Sequence, residues 1–261
     1  WTTSAMFFEQ ATKRIGVITV NFYKLVFAIL FLAIAGLVLG SGPLPLHAPG
    51  DAWLFLSLSG LIGFVISDIF LFSAYRMISS RITMLFLALS PPLTAGFEFL
   101  FLGARMGPLG LAGMALVAAG IILAVMGRRE PGDRKPMSRE DRKGYLYALL
   151  ASSGQAIGMV FSRRGVMHVD AIAGTQIRVL TAIVGFGIVA LLADRGRGLA
   201  KGVRDPKGMK MTLAGAFFGP FIGVTLSLFA TQHTNAGVVS TLIGLSPILI
   251  IPPSLLIFRH K

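Results

Sequence analysis

Four ionisable side chains, Lys24, Asp68, Glu98 and Arg178, sit inside long apolar stretches of this chain. A charge placed in hydrocarbon costs about 2.5–3.5 kcal/mol or more, so each needs a partner or a task. Lys24 lies about seven residues, ~10 Å at the helical rise, into a stretch that starts near 17. Asp68 lies about nine residues, ~13 Å, from the end of the next stretch near 77. Consecutive spans run in opposite directions, so the two can share a depth. The same arithmetic puts Arg178 and Glu98 at a common depth near the other face. Either set can act as an ion pair that holds helices in register. Asp68 can also exchange a proton, or serve as the counter-charge for an amine.

Uncharged polar residues on these stretches are the next candidates to touch a small solute: Ser67, Ser90, Gln155, Gln176, Thr225 and Ser246. Most such groups simply bond a neighbouring helix. Pro91 and Pro247 each follow a serine in mid-stretch. A mid-helix proline frees the carbonyl four residues back, here those of Leu87 and Ile243, and marks a helix-break hinge.

Catalytic arrangements do not assemble from the remaining residues. His47, His168, His233 and His260 lie far apart, and no two have the helical spacing of a metal site. The chain has no cysteine, no Walker loop and only one aspartate deep in a span, where an intramembrane aspartyl protease needs two. The expectation is a protein that is not an enzyme and carries no cofactor and no metal.

The elements that position these residues follow from composition. Hydrophobic residues make up 54% of the 261, charged residues 13%, and the mean hydropathy is +0.77. An ordinary soluble domain carries about 25% charged residues. Those values exclude a disordered chain, a coiled coil and a cytosolic enzyme, and they point to an all-α polytopic membrane protein. Eight stretches are long enough to span: 17–40, 52–77, 80–103, 107–127, 144–162, 171–193, 210–231 and 235–258. Another apolar stretch, from Trp1 to about Phe8, is too short. The net charge of +13 comes from Lys and Arg in the connectors. Alternate connectors hold nineteen basic residues on one side and three on the other. By the positive-inside rule the basic set, including 128–143 and 194–210, is cytoplasmic. No exposed basic fold remains for a nucleic acid.

The chain also repeats itself. The segment starting at Leu61, LIGFVISDIFLFSAYRMISSRITMLFLALSPP, aligns without gaps on the one starting at Phe217, FFGPFIGVTLSLFATQHTNAGVVSTLIGLSPI, an offset of 156. Leu89-Ser90-Pro91 falls on Leu245-Ser246-Pro247, and Asp68 falls on Val224. An offset near 154 places Lys24 on Arg178. The unit is five helices, and an odd number forces the second copy upside down. The expected fold is therefore two inverted five-helix repeats, a ten-helix design clipped at both ends so that about nine helices remain. The expected division is 1–127 for the first repeat, 128–143 for a cytoplasmic linker and 144–261 for the second.

In these features the chain resembles the drug/metabolite transporter superfamily, specifically EamA-type proteins. The features are a Trp in the first span before a short basic turn, a basic residue early in the second and seventh spans (Lys24, Arg178), the doubled Ser-Pro step, and the small-residue stretch GPLGLAGMALVAAGIILAVMG. The resemblance covers essentially the whole chain and rests on order and doubling. It departs at Ala104, where the family often has Glu. It departs also in sidedness, since the charge count puts the Trp1 end outside. The resemblance implies a secondary active transporter that moves a small metabolite by alternating access, in export or exchange. A pore or lipid scramblase is the alternative, and an intramembrane enzyme is less favoured. The implied partners are the lipid bilayer, a small-molecule metabolite and protons as candidate coupling ion. The implied location is a bacterial cytoplasmic (inner) membrane.

Overall fold

Each helix begins and ends where the local chemistry demands it. Gly16, at φ +85°, breaks α1 (Thr2–Ile15) from α2 (Val17–Leu39), and Gly40, also left-handed, ends α2. The computed structural model describes residues 2–78, 80–103 and 138–234, with isolated positions between 108 and 123 and between 239 and 243. α3 (Gly50–Gly60), a π-helical stretch (Leu61–Ile66) and α4 (Ser67–Met77) form one continuous rod. α5 (Ser80–Leu87) and α6 (Ser90–Leu102) follow, separated by a turn at Ala88–Leu89 just before Pro91. A Ser138–Asp141 capping box starts α7 (Arg139–Gly165), and Asp170 caps α8 (Ala171–Asp194). A short α9 (Arg197–Val203) leads to α10 (Pro206–Ala216), a second π-helical stretch (Phe217–Gly223) and α11 (Val224–His233), again one rod.

Among the described residues, five helices are long and apolar enough to cross a membrane: Val17–Leu39, Gly50–Met77, Ile82–Phe101, Ala171–Asp194 and Pro206–His233. The expected span 144–162 lies within α7, which is long enough but too polar to be among the five. The expected spans 107–127 and 235–258 lie almost wholly outside the described residues, as do Ser246 and Pro247. All described elements are helical.

The repeat is visible in the geometry of the two rods. Both are 28 residues long, and Gly50–Met77 shifted by 156 is Pro206–His233. Their π-helical stretches start at Leu61 and Phe217, which are also 156 apart. Pro220 lies inside the second stretch, but the first has no proline, so proline is not their common cause.

Packing is reciprocal. The rod of the first half packs on α7 and the rod of the second half packs on α1, both antiparallel. Gly144 meets Ile78, Gly158 meets Gly63 and Gly165 meets Leu56 on one side. On the other, Gly208 meets Ile15, Gly215 meets Phe8 and Gly219 meets Ser4. The glycines let backbones approach closely, as in membrane helix pairs. α2 and α8, related by the 154 offset, also contact each other antiparallel: Gly36 faces Gln176 and Gly187 faces Phe22.

These directions gather the described parts of the basic connectors at one end. Arg14 pairs with Asp205 at 3.0 Å, and Gly202 lies against Thr19, so the 194–210 segment sits on the α1–α2 junction. α3 runs parallel to α8, with Ser57 bonded to Thr181 and Val65 against Gly185. The end of α4 and the start of α7 therefore lie at that same end.

Candidate functional site

A central cavity of about 110 Å³ opens between the elements related by the repeat. Its lining includes six pairs of repeat-equivalent residues. Phe64, Asp68, Leu71 and Leu87 line it from the first half, and Pro220, Val224, Ser227 and Ile243, each 156 later, line it from the second. Lys24 and Arg178, and Ala5 and Met159, are matched at 154. Both π-helical stretches contribute a wall residue, Phe64 and Pro220.

Among the described residues three charged side chains line the cavity, and all are almost fully buried: Lys24 is 4%, Asp68 3% and Arg178 5% exposed. Lys24 Nζ donates to Asp68 Oδ2 at 2.5 Å, which links α2 to α4 across the depth that the sequence arithmetic matched. The ammonium also stands 4.4 Å from the Phe72 ring centroid and 5.4 Å from that of Phe8. Gln155 Nε2 reaches the other carboxylate oxygen at 3.5 Å, a long contact from α7. The Arg178 guanidinium lies 4.4 Å over the Phe64 ring, and its Nε has no hydrogen-bond partner. Such stacking accommodates the planar cation while leaving its edge donors available.

A model of the EamA-like transporter family matches residues 1–126 and 142–261. The chain belongs to that family. It is thus a multi-pass membrane protein of a family of small-molecule transporters, consistent with its apolar helices. A solved structure described only as "Crystal structure of protein" superposes with a TM-score of 0.68 over 99% of this chain and 87% of that one. At 19% identity it speaks for the fold alone. No curated protein matches the chain.

In this EamA-like protein the residues singled out from sequence separate into two groups. Lys24, Asp68, Arg178, Ser90 and Gln155 line the cavity. The others do not. Ser67 donates to the Ala151 carbonyl at 2.8 Å and fastens α4 to α7. Gln176 donates to the carbonyls of Leu32 and Pro43, tying α8 to the end of α2 and the following loop. Thr225 has a buried hydroxyl without a partner but lies off the cavity wall. Glu98 corrects the depth argument. It does not meet Arg178; its Oε1 accepts from Arg163 Nη1 at 2.8 Å. α6 packs on α7, not on α8, so equal depth does not bring Glu98 and Arg178 together. Pro91 stands at the start of α6, immediately after the break beside the wall residues Leu87 and Ala88.

Sequence reasoning passed over the aromatic wall. Phe8, Phe72 and Tyr75 form a cluster with centroids 5.4 Å apart in sequence order. A signal was present: Phe64, Asp68, Phe72 and Tyr75 recur at helical spacing on one face, with the acid among them.

Proposed function

We propose that this chain is a secondary active transporter that moves a small metabolite across the membrane by alternating access, in export or exchange. One observation carries the reading: the cavity lies where equivalent residues of two repeated, oppositely running units face each other. Inverted repeats around a midplane site are the common way to build such a carrier, because rocking one unit against the other exposes the same site to either side. The full design is ten helices in two inverted five-helix repeats, with 1–127 as the first, 128–143 as a cytoplasmic linker and 144–261 as the second. The paired π-helical stretches and the break before Pro91 weaken the helices beside the cavity, where bending is needed. Pro247, outside the described residues, holds the repeat position of Pro91.

The connectors 128–143 and 194–210 face the cytoplasm, and the membrane is the bacterial cytoplasmic one. Protons are the coupling ion, with Asp68 as their carrier. Of the sequence candidates, Asp68, Lys24, Arg178, Ser90 and Gln155 contact substrate or coupling ion.

The test is flux in proteoliposomes made with the full-length protein. Saturable uptake with counterflow, enhanced by a pH gradient, is expected. Unsaturable flux proportional to the gradient identifies a pore, and lipid flip without solute uptake identifies a scramblase; either result overturns the carrier reading. A membrane-impermeant thiol reagent on intact cells checks sidedness through Ser138→Cys, which labelling from outside overturns.

A further inference from the structure

The charges on the cavity wall do not cancel. Lys24 is neutralised by Asp68, while Arg178 brings a second positive charge. Among the described residues Arg178 makes no ion pair. Burying a guanidinium without a counter-charge is costly. The chain's own acids are otherwise engaged. Glu9, Glu98 and Asp205 pair with Lys13, Arg163 and Arg14. Asp141, Asp170 and Asp194 bond backbone N–H groups at helix ends. Asp51 and Glu140 stand in first helical turns. Of the eleven acids in the sequence this leaves Glu130 and Asp133, in the linker and outside the described residues.

The repeat explains the vacancy. Lys24 and Arg178 are equivalent, and so are Asp68 and Val224. The second half keeps the cation and replaces its acid by an aliphatic side chain, which also lines the cavity. Gly63, on the π-helical stretch, adds room, since a Cβ there would stand 3.4 Å from Arg178 Nη2.

We propose that the cavity binds a small monoanion, a carboxylate on an apolar or aromatic body, with Arg178 as the group that holds the carboxylate. The assignment rests on the transporter reading above and names the substrate class for that site. A guanidinium edge matches a carboxylate through two parallel hydrogen bonds, and one surplus charge matches one negative charge. The rest of the wall suits an apolar body: Leu25, Phe72, Met84, Met159 and Val224. Asp68, already bound to Lys24, is not available to favour an amine.

The experiment measures binding by calorimetry to the purified full-length protein in nanodiscs. The probes are benzoate, 3-phenylpropionate and 4-phenylbutyrate, each against its amide and the amine of the same body. At least one carboxylate is expected to bind saturably, with its amide and amine about tenfold weaker or more, the loss expected for charge-assisted hydrogen bonds. Arg178→Gln should remove that preference and Arg178→Lys should keep part of it. Equal or tighter binding of amide or amine, an unchanged preference in Arg178→Gln, or no binding by any of the carboxylates overturns the proposal. If Arg178→Gln does not fold, the wild-type preference together with its loss in Val224→Asp decides. Saturable counterflow of an amine alone would leave the carrier standing and remove the anion. Unsaturable flux with intact carboxylate binding would do the reverse.

Discussion

The two halves of this molecule share a scaffold and differ in chemistry. Their central rods match in length and in the start of their π-helical stretches. Each packs antiparallel on the first helix of the other half through small residues. At the cavity equivalent positions still face each other, but their chemistry diverges. The first half presents Lys24 against Asp68, and the second presents Arg178 beside Val224. Backbone symmetry thus serves the shape of the cavity, while asymmetry at one pair of positions sets its charge. The proposed carrier function calls on both, because equivalent halves would let the cavity face either side and inequivalent walls would let it choose a ligand.

Breaking the charged pair of the first half should have the largest effect. Asp68→Asn leaves the Lys24 ammonium buried without its counter-charge, and the expected loss is about 3–5 kcal/mol of stability. Thermal unfolding in detergent measures it. The double variant Lys24→Met with Asp68→Leu should recover most of that loss, since an apolar pair of similar volume replaces a desolvated ion pair at little cost. The same Asp68→Asn protein, if it inserts, should lose gradient-driven accumulation and keep exchange at equal pH. Normal coupling in it would eliminate the proton role. Loss of stability with normal coupling would leave the pair a purely structural strut.

Making the second half resemble the first comes next. Val224→Asp restores an acid at the position equivalent to Asp68, facing the cavity that Arg178 also lines. It should neutralise the surplus charge and weaken carboxylate binding about tenfold. It should destabilise less than Asp68→Asn, because the new carboxylate arrives with a cation already there. A Val224→Asp protein with undiminished carboxylate binding would show that the difference between the halves does not set selectivity.

Much of this comparison could be read before any coordinates. The 156 offset matched the rods end to end, because span length and the Gly and Ser-Pro punctuation are written in residue order. Depth arithmetic brought Lys24 to Asp68, since it depends only on helical rise. It failed for Arg178 and Glu98, because depth says nothing of which helix neighbours which; α6 lies against α7. Gln176 looked like a cavity residue because it is polar on an apolar stretch, yet it bonds the Leu32 carbonyl of α2 instead. The aromatic wall was hidden by composition: in a chain this apolar, Phe8 and Phe72 do not stand out from residues that meet lipid.

The glycine crossings sharpen the comparison at a smaller scale. A Cβ on Gly158 would stand 2.9 Å from the Cα of Gly63, which is backbone and has no freedom to move aside. At the equivalent crossing a Cβ on Gly219 would stand 3.1 Å from the Ser4 Cβ, on α1. Gly158→Ala should therefore cost about 1–3 kcal/mol, in the range of overpacking, and Gly219→Ala less. Unfolding midpoints of the two variants in the same detergent decide it, and equal losses would mean that the two crossings yield alike.

The smallest expected effect lies at the start of the two rods. Asp205 caps the second, accepting from Gly208 N–H at 2.9 Å, whereas Pro49, 156 earlier, precedes the first without a side-chain cap. The Gly208 N–H first, and Arg14 after it, hold the Asp205 carboxyl below the ordinary aspartate range. A carboxyl lowered in the folded state contributes stability above its unfolded value, near about 3.9, and loses it as the pH falls through the lower folded value. Asp205→Asn retains a capping side chain and removes the charge. Wild type should therefore lose slightly more stability than Asp205→Asn on acidification from about pH 5 to about pH 2. Parallel pH profiles would show that the N–H and Arg14 contacts do not favour the charged form in solution. Installing Pro49→Asp should give the first rod a similar acid-sensitive cap, and a profile unchanged by it would mark this end difference between the halves as without consequence for stability.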